Sequence, residues 1–151
     1  IKKVTGMRVS DYFSQNVWQK VGAEFPATWN VDRIDGYEKT FCCFNAAAPD
    51  YAKVGVMIMN NGMVGDKHII DANWVKRLAT PVVTLDDNWG YGAYMWHPFP
   101  DTSTMDGLHG QYVFIDPKTR TVIVKLSDVP TAQKLAVPTM EVFKAISNKQ
   151  N

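Results

Sequence analysis

The run Gly107-Leu108-His109-Gly110 sets the first chemical question, because it places a histidine between glycines beside residues that read as extended strand. Glycines next to a strand cost stability unless a turn or a close approach to the backbone requires them. Small neighbours leave a main-chain N–H uncovered, and an uncovered amide beside a strand can stabilise a developing oxyanion. On that reading the Leu108 N–H is the donor. Gly107 and Gly110 keep side chains clear of a substrate, and His109 donates a hydrogen bond or orients a base. A structural reading stands beside it, with His109 capping a sheet edge and the glycines forming a β-bulge. Trp96, next to His97 on the preceding segment, is in the same way either core or the wall of a substrate pocket.

An oxyanion donor needs an attacking group, and the sequence offers few. None of the serines at 10, 14, 103, 127 and 147 has a lysine three residues on, and there is no G-x-S-x-G elbow. Thr131-Ala132-Gln133-Lys134 has the right offset for a hydroxyl and an activating lysine, yet threonine at a helix start is an ordinary cap. Ser14-Gln15-Asn16 matches a loose S-x-N on the exposed side of the first expected helix. No glycine-rich phosphate loop is present. His68, His97 and His109 show no ligand spacing to Cys42 and Cys43, so neither a metal nor another cofactor is expected. The adjacent cysteines read as buried thiols, because neighbouring residues do not easily reach disulfide geometry with each other.

The elements that must hold these residues follow from periodicity and punctuation. "IKKVTG" reads as the tail of a helix ended by Gly6. Ser10 is expected to cap a helix with Phe13, Val17, Trp18 and Val21 on its apolar side, closed by Gly22. The stretch from Ala23 to Phe44 reads as loop with a short strand pair. Asn45 is expected to cap a second helix with Pro49 in its first turn, a stripe of Tyr51, Val54, Met57 and Ile58, and an end at Asn61-Gly62. Asp71 caps a third. Beyond Pro81, Trp89–His97 reads as one aromatic strand and "PFPDTSTMDG" as loop. Tyr112–Ile115 and Thr121–Leu126 read as a hairpin turning at Asp116-Pro117-Lys118-Thr119, and a helix from about Thr131 to Asn148 is expected to kink at Pro138 or to start after it. Helices first, three antiparallel strands next and a closing helix give an α+β class.

Composition bounds the function. A chain of 151 residues that is 46% hydrophobic can bury one core. Its net charge of +1, spread along the chain, gives no footprint for nucleic acid. Apolar runs such as Val54–Met59 stop far short of the roughly 20 residues that cross a bilayer, so no membrane span is expected.

"FCCFNAAAPDYAKVGVMIMNNGMVGDKHIIDANWVKRLATP" resembles the G-x-N/S-A-x-x-x-D-x-A-r-x-G…G…i-i…W-v pattern of the serine β-lactamase-like superfamily. That superfamily includes class C β-lactamases, penicillin-binding peptidases, esterases and 6-aminohexanoate-oligomer hydrolases. The matching positions are Asn45, Ala46, Asp50, Ala52, Gly55, Gly62, Gly65, Ile69, Ile70 and Trp74. "WGYGAYMWH" and "GLHGQYVFIDPKTRTVIVKLSD" are similar to the segments that follow there, closest to the esterase and oligomer-hydrolase branch. The resemblance implies the C-terminal part of a β-lactamase/transpeptidase-like fold. Residues 1–80 would be part of a helical subdomain, and residues 81–151 strands and the closing helix of an α/β sandwich. It puts Gly107-Leu108-His109 at the family's K-T-G or H-x-G element and assigns the oxyanion contact to the Leu108 N–H. The lysine of K-T-G is absent, which favours ester or amide hydrolysis over recognition of a β-lactam carboxylate. The family's S-x-x-K and Y-x-N motifs are not found in the chain. It is therefore expected to start mid-protein, to depend on an N-terminal segment or second chain for the nucleophile, and to be inactive alone. The substrate implied is a small ester, amide or β-lactam. Relatives are often exported, which points to the periplasm. The competing class is a non-catalytic binding or interaction domain on the same fold.

Overall fold

A computed structural model describes residues 1–85, 88–130 and 132–149. Helix α1 (Lys2–Thr5) ends at Gly6, whose left-handed φ of 72° lets its N–H reach the Lys2 carbonyl, as the sequence suggested. Helix α2 (Val9–Phe13) runs into a π-helical turn at Ser14–Trp18. Its N-cap is Arg8 rather than Ser10. The Ser10 hydroxyl instead donates to Glu38 Oε1 at 2.7 Å, and Arg8 Nε reaches the same oxygen at 2.9 Å. Burial alone would raise the Glu38 carboxyl, but these bonds outweigh it and hold it at about 2. A long-range partner has taken the side chain that local capping would have used.

The irregular stretch after Gly22 carries strand β1 (Thr28–Trp29), a single bridge between Val31 and Glu38, and strand β2 (Phe44–Asn45), which pairs with β1. Asn45 therefore lies in a strand, and Ala47 is the N-cap of helix α3 (Ala48–Met59). Pro49 occupies the first turn of α3, where its missing N–H costs nothing. Met57 and Ile58 are buried and Tyr51 and Val54 pack against them, so the expected stripe is the inner one. A two-stranded ribbon, β3 (Met63–Val64) with β4 (Lys67–His68), leads to helix α4 (Ala72–Leu78). Asp71 caps α4 as expected, accepting from the N–H groups of Asn73 and Trp74.

Among the described residues the main sheet has six strands, not three. In chain order they are β5 (Val83–Thr84), β6 (Gly90–Gly92), β7 (Met95–His97), β8 (Ser103–Asp106), β9 (Tyr112–Asp116) and β10 (Thr121–Lys125). All pairs are antiparallel, in the order β10-β9-β8-β7-β6-β5. The aromatic stretch expected as one strand is a hairpin, because Ala93 and Tyr94 both adopt positive φ, 49° and 65°, and fold β6 onto β7. The stretch expected as loop contains β8, whose Ser103 and Thr104 are buried. Helix α5 (Ala136–Asn148) follows a 3-10 turn and has Pro138 in its first turn, so no kink is needed. Thr131, proposed above as a hydroxyl with a lysine offset, lies outside the described residues.

Strand β9 is buried along its whole length because both faces of the sheet are covered. Val113 and Ile115 face the core shared with α3, while Tyr112 and Phe114 pack with Met140 and Phe143 of α5. Gly55 allows the α3 contact: a Cβ there would lie 2.7 Å from Val122 Cγ1 and 3.1 Å from Val113 Cγ1. Asp116, fully buried at the end of β9, accepts from Lys144 Nζ at 2.7 Å and Ser147 Oγ at 2.9 Å and so pins α5. Cys42 and Cys43 are not free thiols but are joined to each other in a disulfide. A positive φ of 69° at Cys43 brings the two side chains together, a conformation the sequence did not announce.

Candidate active site

A cleft of about 890 Å³ lies where two segments far apart in the chain meet. One wall is the β8–β9 turn, Met105 to His109, together with the end of β10 and Ser127. The other is the loop from Thr40 to Ala46, which contains the disulfide. That loop is carried by edge-to-face aromatic contacts: Trp29, Phe44 and Tyr51 line the cleft, with ring centroids 5.2 Å apart for Trp29–Phe44 and 5.9 Å for Phe44–Tyr51. The Trp29 indole N–H bridges the carbonyls of Lys39 and Cys42 at 3.0 and 2.9 Å, and the Tyr51 hydroxyl donates to the Phe44 carbonyl.

Gly107-Leu108-His109-Gly110 is the tight turn between β8 and β9, one strand earlier than the hairpin the sequence emphasised. Its main chain is heavily tied. Gly107 N–H donates to the Gln111 carbonyl at 2.8 Å, Gly110 N–H to the Gly107 carbonyl at 2.9 Å, and His109 N–H to Gln111 Oε1 at 3.1 Å. The His109 carbonyl accepts from Val129 N–H at 3.2 Å, and the Gly110 carbonyl from Lys125 Nζ at 2.8 Å. The Leu108 N–H is left over: it makes no hydrogen bond among the described residues, and Leu108 itself is 67% exposed. Both glycines have local reasons. Gly110 sits at φ 77°, and a Cβ on Gly107 would crowd Gln111 Oε1 and lie 3.1 Å from Gln111 Cβ. Gln111 thus holds the turn, a role that its residue type alone did not signal.

Gly107, Leu108 and His109 come together on the cleft wall, whereas Trp96 does not join them. Trp96 packs against Trp89 and Tyr91, with centroids 6.2 and 5.0 Å away. Asp106, absent from the sequence reading, does line the cleft. Burial pushes its carboxyl up to about 6. It faces Tyr112 across the β8–β9 ladder, and Tyr112 in turn faces Lys125. Burial, and then the Asp106 charge, push the Tyr112 hydroxyl up to about 12. Among the described residues Ser127 is the one serine that lines the cleft, and its Oγ accepts from Val129 N–H at 3.4 Å. Ser14, in the S-x-N match, bonds Gln19 within its own helical turn. Among the described residues there is no group of three or more His, Cys, Asp or Glu that could hold a metal ion, and no helix is long and apolar enough to cross a membrane.

No family model matches the chain. It is 28% identical over 142 residues to the 6-aminohexanoate-dimer hydrolase of Paenarthrobacter ureafaciens, an alignment covering 86% of this chain and 36% of that protein. Among solved structures it is similar to a "Putative 6-aminohexanoate-dimer hydrolase from Bacillus anthracis", with TM-score 0.84 and 24% identity, over 98% of this chain and 40% of that one. The likeness to that solved structure shows a shared fold. The chain spans well under half the length of the relatives it matches. The α+β architecture with antiparallel sheet and closing helix agrees with the class read from the sequence.

Proposed function

We propose that this chain supplies the acyl-binding wall of a serine hydrolase that cleaves a small ester or amide through an acyl-enzyme. The Leu108 N–H donates to the carbonyl oxygen as it becomes an oxyanion. The single observation behind this reading is that amide: among the described residues it is unbonded, in a turn whose neighbouring amides are used, and it belongs to a residue that lines the 890 Å³ cleft. Trp29, Phe44, Tyr51 and Leu108 give the cleft an apolar lining suited to an alkyl or aryl acyl group. The similarity to 6-aminohexanoate-dimer hydrolase favours a linear amide of an amino-alkanoic acid.

In the proposed reaction a serine hydroxyl, deprotonated by a neighbouring base, attacks the carbonyl carbon, and the tetrahedral oxyanion accepts from Leu108. Collapse expels the amine or alcohol with a proton, and water then releases the acid. The nucleophile and its base come from polypeptide outside these 151 residues, so the segment alone does not turn over. Leu108→Pro removes the N–H while Leu108→Ala keeps it. In the full chain, with a chromogenic ester and a linear amide as substrates, the proline variant should lose about 100-fold or more in kcat and the alanine variant only a few-fold. Equal losses in the two variants would reject the donor. Turnover by the 151 residues alone would reject the external nucleophile.

A further inference from the structure

The second wall of the cleft is held in a conformation that needs explaining. Cys43 has φ 69°, a left-handed backbone that a residue with a Cβ rarely keeps without a constraint. Its carbonyl accepts from Asn30 N–H at 3.0 Å and from Asn45 Nδ2 at 3.1 Å. The Cys42 N–H donates to the Lys39 carbonyl at 3.0 Å, and the Cys42 carbonyl accepts the Trp29 indole. The covalent link between the two cysteines is the constraint, and both are only half-buried on an open cleft, where a small solute can reach them.

We propose that Cys42–Cys43 is a thiol–disulfide exchange site for small thiols, and that its redox state sets the shape of this cleft wall. A thiolate attacks one of the two sulfurs, forming a mixed disulfide and breaking the Cys42–Cys43 bond, and the displaced cysteine takes up a proton. A second thiol attacks the outer sulfur of the mixed disulfide, releasing the other cysteine as a thiol. Two small thiols are oxidised to one small disulfide, and two electrons and two protons end on the cysteines. Without the link, Cys43 returns to negative φ, its carbonyl turns away from Asn30, and the loop between Trp29 and Phe44 loosens. Oxidation by a small disulfide reverses the exchange. The inference does not depend on hydrolysis and concerns the cleft wall other than the one that carries Leu108.

The test uses the full chain purified without reductant. Alkylation and mass spectrometry count free thiols before and after treatment with glutathione, and hydrogen–deuterium exchange follows residues 28–45. No free thiol is expected before reduction and both are expected after it. Exchange across 28–45 should accelerate about tenfold on reduction while β9 is unchanged. Two variants separate the link from the conformation. Cys43→Gly adopts the left-handed backbone without a disulfide and should exchange slowly, whereas Cys43→Ala should exchange like the reduced protein; neither should respond to glutathione. Free thiols in the air-purified chain would overturn the proposal. So would equal exchange in the oxidised and reduced states, or equal exchange in the two variants.

Discussion

Asp106 turns the geometry of the cleft into a pH-dependent stability. Its carboxyl is half-buried at the end of β8, forms no hydrogen bond among the described residues, and rises by burial from 3.8 to about 6. The folded chain therefore holds this proton more tightly than the unfolded chain does. Below the unfolded value the group is neutral in both states and costs nothing. As pH rises from 3.8 to about 6 the unfolded carboxyl ionises first, so stability falls, and the loss is complete above the folded value. At 1.36 kcal/mol per unit the shift corresponds to about 3 kcal/mol, which partial solvent access reduces to about 2 kcal/mol. Asp106→Asn mimics the neutral form. In urea unfolding the variant should match the parent near about pH 4 and exceed it by about 2 kcal/mol near about pH 7.5. A stability difference that stays the same at both pH values would refute the desolvation argument.

Two further outcomes follow from packing. Asp116→Asn weakens the contacts to Lys144 and Ser147 and should cost about 2–4 kcal/mol in urea unfolding, with α5 losing hydrogen-exchange protection more than α3 does. Gly55→Ala gains about 1 kcal/mol of helix propensity but drives a methyl group into Val122, so a net loss of about 1–2 kcal/mol is expected in thermal unfolding, relieved by adding Val122→Ala.

What the sequence revealed is what short-range forces decide. Asp71 was legible as a cap because its partners are the next amides along the chain, and the β9–β10 hairpin because its alternation and Asp116-Pro117 turn are local. Ser10 and Asn45 misled because distant elements recruited them, Glu38 in one case and β1 in the other. The β6–β7 turn was missed because Ala93 and Tyr94 adopt positive φ without the glycine or asparagine that usually marks it. The vicinal disulfide was missed for the same reason at Cys43. At the candidate site, Gly107 and Gly110 drew attention to the right turn. The aromatic loop that completes the cleft lies far upstream, and nothing in its own pattern ties it to Leu108.

The short run after β10 gives the turn at His109 a mechanical tie beyond the sheet. Val129 grips the His109 carbonyl upstream of the 3-10 turn that leads into α5, a helix whose N-cap Leu135 supplies no side-chain cap but which is fastened near its far end by Asp116. With its anchor near the C-terminal end, that helix opens more readily from its N-terminal end, which is the end that the chain reaches after leaving the tie at His109.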